Sequence, residues 1–519
     1  MIKEIFKKEY SKYFILLILF AIPLILPLLH EGFFVSDDGE WMIIRLSDFH
    51  RSFRDGQFPV RWAGRLNQEY GYPVFNFLYP GMLYLGEIIH LLGFSFINSV
   101  KFLFGLSFVL SGVFSFLWLS QFFNKFSSFI GAVSYIYAPY FFFDVYKRGS
   151  LGEALALMVV PLCFYALQKN SFLLGSISFA LLILVHNTIA FLISPLLIVY
   201  LLIKSHKYLK KESFLKIISP ILGGLGLSAF FWVPALYDKQ FTIFDQVAVS
   251  RWQEHFLKFD DLWLVGIITL FMVVISLLKI KKRNILAILF LFVFLVSVFM
   301  ILPVSGFVWN LLPFTNLIQF PFRFISLTMI SGAFITAFAS DRLKKELKIV
   351  VGVLIIMANL FIFAQNQKKI EYINRPESYY TTNEATTNTQ DEYLPKWAKV
   401  KPEGRPENKV EIIAGKGEVN NIKAKSNQIV FNVNAVSNIT TQINILYFPG
   451  WEVYVNNKKW DIDNENDRGV MRINLEQGQY KISVKFQETP IRLISDIISL
   501  VSFIFVCGFS VKRGYEKYS

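Results

Sequence analysis

Asp37 and Asp38 stand side by side in FFVSDDGE, directly after the first long apolar run. Adjacent carboxylates repel each other, so they must stay hydrated or find a cation. Further along, DVYKRGSLGE sets Lys147 and Arg148 five to six residues ahead of Glu153. Glu153 falls in the first turns of the next apolar run, where a carboxylate is costly unless used or paired. His186 and Asn187 lie where two apolar runs meet, and Arg323 opens another run in QFPFRF. Each also has a plainer reading. Asp38 could cap the helix that follows it, and Arg148 could simply pair with Glu153. His186–Asn187 could be a polar turn, and Arg323 could reach the lipid headgroups. Arg251, Asp260 and Asp261 in RWQEHFLKFDD read as solvated surface.

The elements that must position these groups are mostly apolar. The chain has 519 residues, 54% of them hydrophobic and 17% aromatic, with 55 Phe, and a mean hydropathy of +0.45. No soluble core of this size needs so much apolar surface, so the chain is a polytopic membrane protein. Runs of about 18 to 22 apolar residues recur, each long enough to cross a hydrocarbon layer roughly 30 Å thick. Cys163 and Cys507 both lie inside such runs, which argues against a disulfide framework or a thiolate metal site. The basic and then apolar amino terminus reads as an uncleaved first helix.

A net charge of +14 raises the question of nucleic acid, but the location of the charge excludes it. The excess sits in the short segments KEIFKKEYSK, KSHKYLKKES, KIKKRN, DRLKKELK and KRGYEKYS. These are positive-inside signals, with anionic lipid as their neighbour. Placing all five on the cytoplasmic side requires an even number of crossings between them. The segment YGYPVFNFLYPGMLYLGEIIHLLGF (residues 70–94) breaks that parity. It carries Pro73, Pro80, Gly81, Glu87 and His90, so it is expected to lie along the outer surface or re-enter. About twelve spans remain across the cytoplasmic (inner) membrane, with both termini on the cytoplasmic side.

The expected organisation is a transmembrane domain over residues 1–366, with a first outer loop at about 31–97. Residues 367–489 then form an outer linker and β-domain, and 490–519 a last span with a basic tail. The linker opens on the low-complexity stretch YYTTNEATTNTQ. Beyond it, EVNNIKAKSNQIVFNVNA, TTQINILYF, WEVYVNNKKWDI, GVMRINL and QYKISVKF alternate with period two, with turns at VNNK and EQGQ. That pattern indicates an antiparallel β-sandwich. On this topology Asp37, Asp38, Asp144 to Glu153, His186, Asn187 and Arg323 all reach one face.

The ordered series RDGQFPVRW, YGYPVFNFLYP, YKRGSLGEALAL, LVHNTIAFL, QFPFRF, DEYLPKW and YFPGWEVYVN resembles the bacterial membrane family labelled 6-pyruvoyl-tetrahydropterin synthase-related. That family sits within the GT-C superfamily of polytopic glycosyltransferases. The label does not imply pterin chemistry, since such a synthase needs a zinc-binding histidine cluster and the six histidines here have no ligand spacing. The resemblance implies a GT-C-like core that takes a sugar from a polyprenyl-phosphate donor and passes it to an envelope acceptor outside. It also implies an acidic motif in the first outer loop, where Asp37 stands in place of the family's histidine. On this reading Asp38 is the base, with Asp37 a second carboxylate or metal ligand. A divalent cation, Mg or Mn, would suit the pair Asp37 and Asp38. Arg148, Lys147 and Arg323 would hold the donor phosphate, while Glu153, His186 and Asn187 would orient substrate.

Two other functions compete with this one. A transporter or flippase of lipid-linked sugars would show internal repeats and mid-membrane charges, whereas these charges gather at helix ends. A non-catalytic envelope-assembly protein would depend on its β-domain and not on Asp38.

Overall fold

The computed structural model of the chain describes residues 8–205, 211–247, 252–312, 315–388 and 390–515. The basic amino terminus, KSHKYLKKES and the tail lie partly outside them. Among the described residues, eight helices are long and apolar enough to cross a membrane. Three further pairs of apolar helices bend by 68°, 66° and 91° at short breaks, giving up to 11 spans if each pair is one. Two of the breaks have evident causes: Gly266 adopts φ +90°, and Pro303 cannot continue the helix that ends at Met300. The twelfth expected crossing, Phe172–Val185, has only 14 residues, about 21 Å of helix. Serine or asparagine caps start several of these helices. Ser95 accepts from Asn98, Asn124 from Ser127 and Ser171 from Leu174.

The segment that breaks parity forms two short helices, Val74–Phe77 and Gly81–Leu91. The longer covers about 16 Å, too little to cross. Before it comes the amphipathic loop helix, Gly39–Arg54, which buries Met42, Ile43, Leu46 and Phe49. It also buries Arg45 and Asp48, which need partners. Arg45 finds them in the low-complexity stretch, donating to the Thr387 hydroxyl at 2.9 Å and to its carbonyl. Arg65 holds the Thr381 and Tyr380 carbonyls, and the Tyr380 hydroxyl donates to Glu40 at 2.9 Å. So YYTTNEATTNTQ is ordered by guanidinium contacts to the first loop.

Strand β1 (Phe33–Phe34) pairs antiparallel with β2 (Tyr372–Ile373). This tie puts the end of the first span and the end of the span Lys345–Gln367 on the same side. The β-domain follows as two sheets. One has the order β4 (Gly417–Lys425), β5 (Gln428–Ala435), β10 (Gly478–Phe486), β7 (Trp451–Val455), β8 (Lys458–Trp460). The other has β3 (Val410–Ala414), β6 (Ile439–Leu446), β9 (Val470–Leu475). The long segment from Glu418 to Ala435 is thus two paired strands. At VNNK, Asn456 and Asn457 take φ +48° and +66°, the left-handed pair a tight hairpin turn requires. Alternate residues Ile429, Phe431 and Val433 meet Val453, Ile482 and Val484 in the core.

This domain sits on the loop rather than swinging from a linker. Trp62 packs 5.4 Å, centroid to centroid, from both Trp451 and Phe486. Asp55 accepts the Ser426 N–H at 2.7 Å. Arg61, only 3% exposed, bonds Glu488 and Asp496 at 2.8 Å each. Arg492 pairs with Asp238 at 2.8 Å with both side chains at most 1% exposed, and Asp238 also accepts from Asn76. These charges lock the last span to the loop and to the helix Ala229–Asp238. Asp238→Ala leaves the Arg492 guanidinium buried and unpaired. It should cost about 3–5 kcal/mol, read as a fall in the thermal unfolding midpoint of the detergent-solubilised chain; an unmoved midpoint would remove this pair as the lock.

Candidate functional site

The site begins with Glu153, which has no exposed surface. A carboxylate there must be fully bonded, and the sequence supplies the means on both sides of the turn before it. Tyr140 donates its hydroxyl to Glu153 Oε1 at 2.6 Å. Arg148 Nη1 lies 2.6 Å from both Glu153 Oε2 and Asp144 Oδ1. Asp144 and Arg148 are the ends of a π-helical turn, Asp144–Arg148, a wide turn often found at functional positions.

Two more groups close on Glu153 without bonding it. His186 Nε2 and Arg323 Nε each lie 3.9 Å from Oε2, and neither nitrogen has a hydrogen-bond partner among the described residues. His186 Nδ1 accepts the Ile189 N–H at 3.2 Å. This bond makes the imidazole neutral, with its proton on Nε2, and caps the helix Asn187–Ser205. Arg323 is anchored by the Ile318 carbonyl and Gln319 Oε1. The guanidiniums of Arg148 and Arg323 lie 5.0 and 4.9 Å from the Phe322 and Phe320 ring centroids, a favourable arrangement for cations out of water.

The acidic pair is attached to this cluster through backbone. Asp37 and Asp38 donate their N–H groups to the Lys147 and Arg148 carbonyls at 2.9 and 2.8 Å. Gly149 makes the close approach feasible. It has φ +66°, and a Cβ there would sit 2.5 Å from Gly39 N and 2.6 Å from Ser36 Oγ. Lys147 Nζ pairs with Asp37 at 2.8 Å on the surface, with both side chains more than half exposed. Asp38 precedes the loop helix, yet its side chain makes no cap bond. Ser36 Oγ accepts the Gly39 N–H instead. Among the described residues the half-buried Asp38 carboxylate has neither a hydrogen bond nor an ion pair.

Tyr79 joins the two halves. Its ring lies 4.7 Å from that of His186, and only a glycine at 152 allows this, since a Cβ there would be 2.2 Å from Tyr79 Cε2. Burial pushes the Tyr79 phenol up to about 12, while Arg323 and Arg45 lower it and Asp38 and Glu153 raise it. At neutral pH it is therefore a donor within electrostatic reach of both acids.

The structure thus brings Asp38, Asp37, Lys147, Arg148, Glu153, His186 and Arg323 to one place. Asn187 starts its helix exposed and apart from the cluster. Asp260 and Asp261 are exposed, and Arg251 lies outside the described residues. The sequence assigns no role to Tyr140 or Tyr79, and it marks Asp144 only as the start of the charged turn that runs to Glu153. The Asp144 to Arg148 spacing of four residues was a readable signal; Tyr140 and Tyr79 gave none. As a cation site, Asp37 and Asp38 are two carboxylates, one already paired with Lys147. Among the described residues no three His, Cys, Asp or Glu side chains converge as a metal site. These residues alone do not fit a resident cation.

The family described as 6-pyruvoyl-tetrahydropterin synthase related domain, membrane protein, matches residues 75–373, more than half of the chain. The chain belongs to that family. The match runs from the short helices of the first loop through Glu153, His186 and Arg323 to strand β2, and it leaves out Asp37, Asp38 and the β-domain. No curated protein matches the chain. Among solved structures, it is similar to the arabinofuranosyltransferase AftD from Mycobacteria, with a TM-score of 0.46 and 15% identity over 69% of this chain. A mutant of AftD gives the same score and identity. The chain spans 26% and 28% of the length of those two structures.

In this family member the backbone clamp depends on one glycine. Gly149→Ala forces a methyl group against the Gly39 backbone at positive φ. It should destabilise the chain by about 1–3 kcal/mol and speed proteolytic cleavage around residues 36–40, monitored by limited proteolysis beside thermal unfolding. Unchanged cleavage and midpoint would mean the clamp is not rigid.

Proposed function

We propose that the chain is an integral-membrane glycosyltransferase with a GT-C-like core. It moves a sugar from a polyprenyl-phosphate donor to an envelope acceptor on the outer face of the cytoplasmic membrane. The observation that carries this reading is Asp38: a carboxylate held by a backbone bond to the buried Arg148 and, among the described residues, free of any cap or ion pair. A structural acid would be paired; a general base must keep its lone pairs available.

In the proposed reaction Asp38 takes the proton of an acceptor hydroxyl as that oxygen bonds to the anomeric carbon. The carbon–oxygen bond to phosphate breaks on the opposite side, its electron pair stays on the phosphate, and the configuration inverts. Lys147, exposed and able to exchange Asp37 for phosphate, meets the growing charge directly. Arg323 offers the unpartnered Nε. Arg148, committed to Asp144 and Glu153, is a positioning residue that fixes the turn bearing Asp38. Glu153 in turn fixes Arg148, and Tyr79 and His186 supply neutral donors near the sugar. No step depends on a metal held by this chain, and an EDTA arm reads whether a cation entering with the phosphate matters.

The test uses purified full-length wild type and Asp38→Asn in lipid vesicles, with labelled polyprenyl-phosphate sugars and an envelope extract. The wild type should transfer label, and Asp38→Asn should lose about 10²–10⁴-fold in rate with an unchanged melting midpoint, because its side chain bonds nothing. Equal transfer by both proteins would end the assignment of Asp38 as base. No transfer from any donor by the wild type would favour a role in envelope assembly.

A further inference from the structure

A second polar site lies at the other end of the loop helix. Gly39–Arg54 has 16 residues, so its ends are about 24 Å apart, too far for one sugar to touch both. There, between the first loop and the β-domain, is a cavity of ≈ 120 Å³ lined by Arg51, Trp62, Glu69, Tyr70, Lys409 and Lys425, among others. One water needs only about 10–15 Å³ by such a measure. The named charged residues are three cations and one carboxylate.

The cations keep capacity for a ligand, because their protein contacts are few or long. Glu69 is 3.8 Å from Arg51 and 3.7 Å from Arg405, beyond hydrogen-bond length, and Arg405 is engaged by Glu384. Lys425 is exposed and has no partner among the described residues. The Lys409 ammonium has one bond, to the Glu69 carbonyl. Burial lowers its pKa to about 8, against Glu69, which raises it, while Arg51 and Arg405 lower it further. An ammonium held in this way gains from an added anion.

The backbone at the cavity is also unusual. Asn67, Gln68 and Glu69 adopt φ of +57°, +57° and +64° in succession, a left-handed turn that L side chains adopt at a cost. It is held by Glu69 N–H to Arg65 O at 3.0 Å, Gln68 N–H to Glu384 O at 2.7 Å and Tyr70 N–H to Asn67 O at 3.0 Å. Such strain gathers where side chains must be aimed; here it brings Glu69 and Tyr70 to the cavity wall.

We propose that this cavity binds an acidic saccharide, with its phosphate or carboxylate between Arg51, Lys409 and Lys425 and its ring against the Trp62 and Tyr70 wall. The site goes beyond the transferase reading and stands without it, because it is defined by binding alone.

Calorimetry on the detergent-solubilised full chain tests this with four probes: glucose 6-phosphate, glucuronate, glucose and inorganic phosphate. Glucose 6-phosphate, glucuronate or both should bind, which distinguishes phosphate from carboxylate, while glucose should not. Arg51→Gln and Lys425→Gln alter exposed side chains and should preserve the fold. Each should weaken binding about tenfold. Affinity should also fall as pH rises through about 8, where Lys409 loses its proton. Equal binding of glucose, absence of binding by both acidic sugars, or indifference to both substitutions would overturn the proposal. Inorganic phosphate binding as tightly as glucose 6-phosphate, with no glucuronate binding, would overturn its saccharide part.

Discussion

Removing a carboxylate from water is expensive, and Glu153 is removed completely. The site follows from that constraint. Glu153 needs Tyr140 and Arg148 as bonding partners. Arg148 then needs Asp144 one turn earlier, which fixes the wide turn that ends at Gly149 with its carbonyls presented outward. Those carbonyls receive Asp37 and Asp38. A charge with no solvent contact therefore determines where a partly solvated one stands. The neutral His186 and the anchored Arg323 complete the surroundings.

The same cost assembles the rest of the loop face. Arg45, Arg61, Arg65 and Arg492 are each at most 6% exposed, and each reaches a partner more than 150 residues away in sequence. Buried guanidiniums tolerate few alternatives, so these contacts specify a single placement of the β-domain and of the 379–390 stretch. Hydrophobic packing of Trp62 against Trp451 and Phe486 supplies area, but the arginines supply register. This explains why a segment whose composition reads as a linker is ordered.

What the sequence revealed and what it hid divide along the range of the interactions. Spans show because about 20 apolar residues are a local signal, and the β-domain shows because period two is local. The short helices of the first loop show through their prolines and charges. Hairpin β4–β5 was merged into one segment because Ser426–Asn427 is a weak turn signal beside Asn456–Asn457. Of the site, the charged residues near helix ends were legible one by one. Their convergence was not, since Arg323 and Glu153 are 170 residues apart and meet only through packing. The role of Ser36 is concealed by Asp38, an equally good capping residue that stands directly before the helix.

If the transferase reading holds, the placement of Lys147 has a mechanistic consequence. The charge of an arriving phosphate meets the edge of the buried cluster, where Lys147 is exposed and already paired with Asp37. Phosphate and Asp37 then compete for one ammonium. A surface pair of this kind is worth at most about 1 kcal/mol, so a phosphate displaces it readily. Displacement leaves Asp37 without its ammonium partner beside Asp38. Phosphate arrival would thus be felt at the acidic pair through Lys147, the exposed cation that holds Asp37 in place.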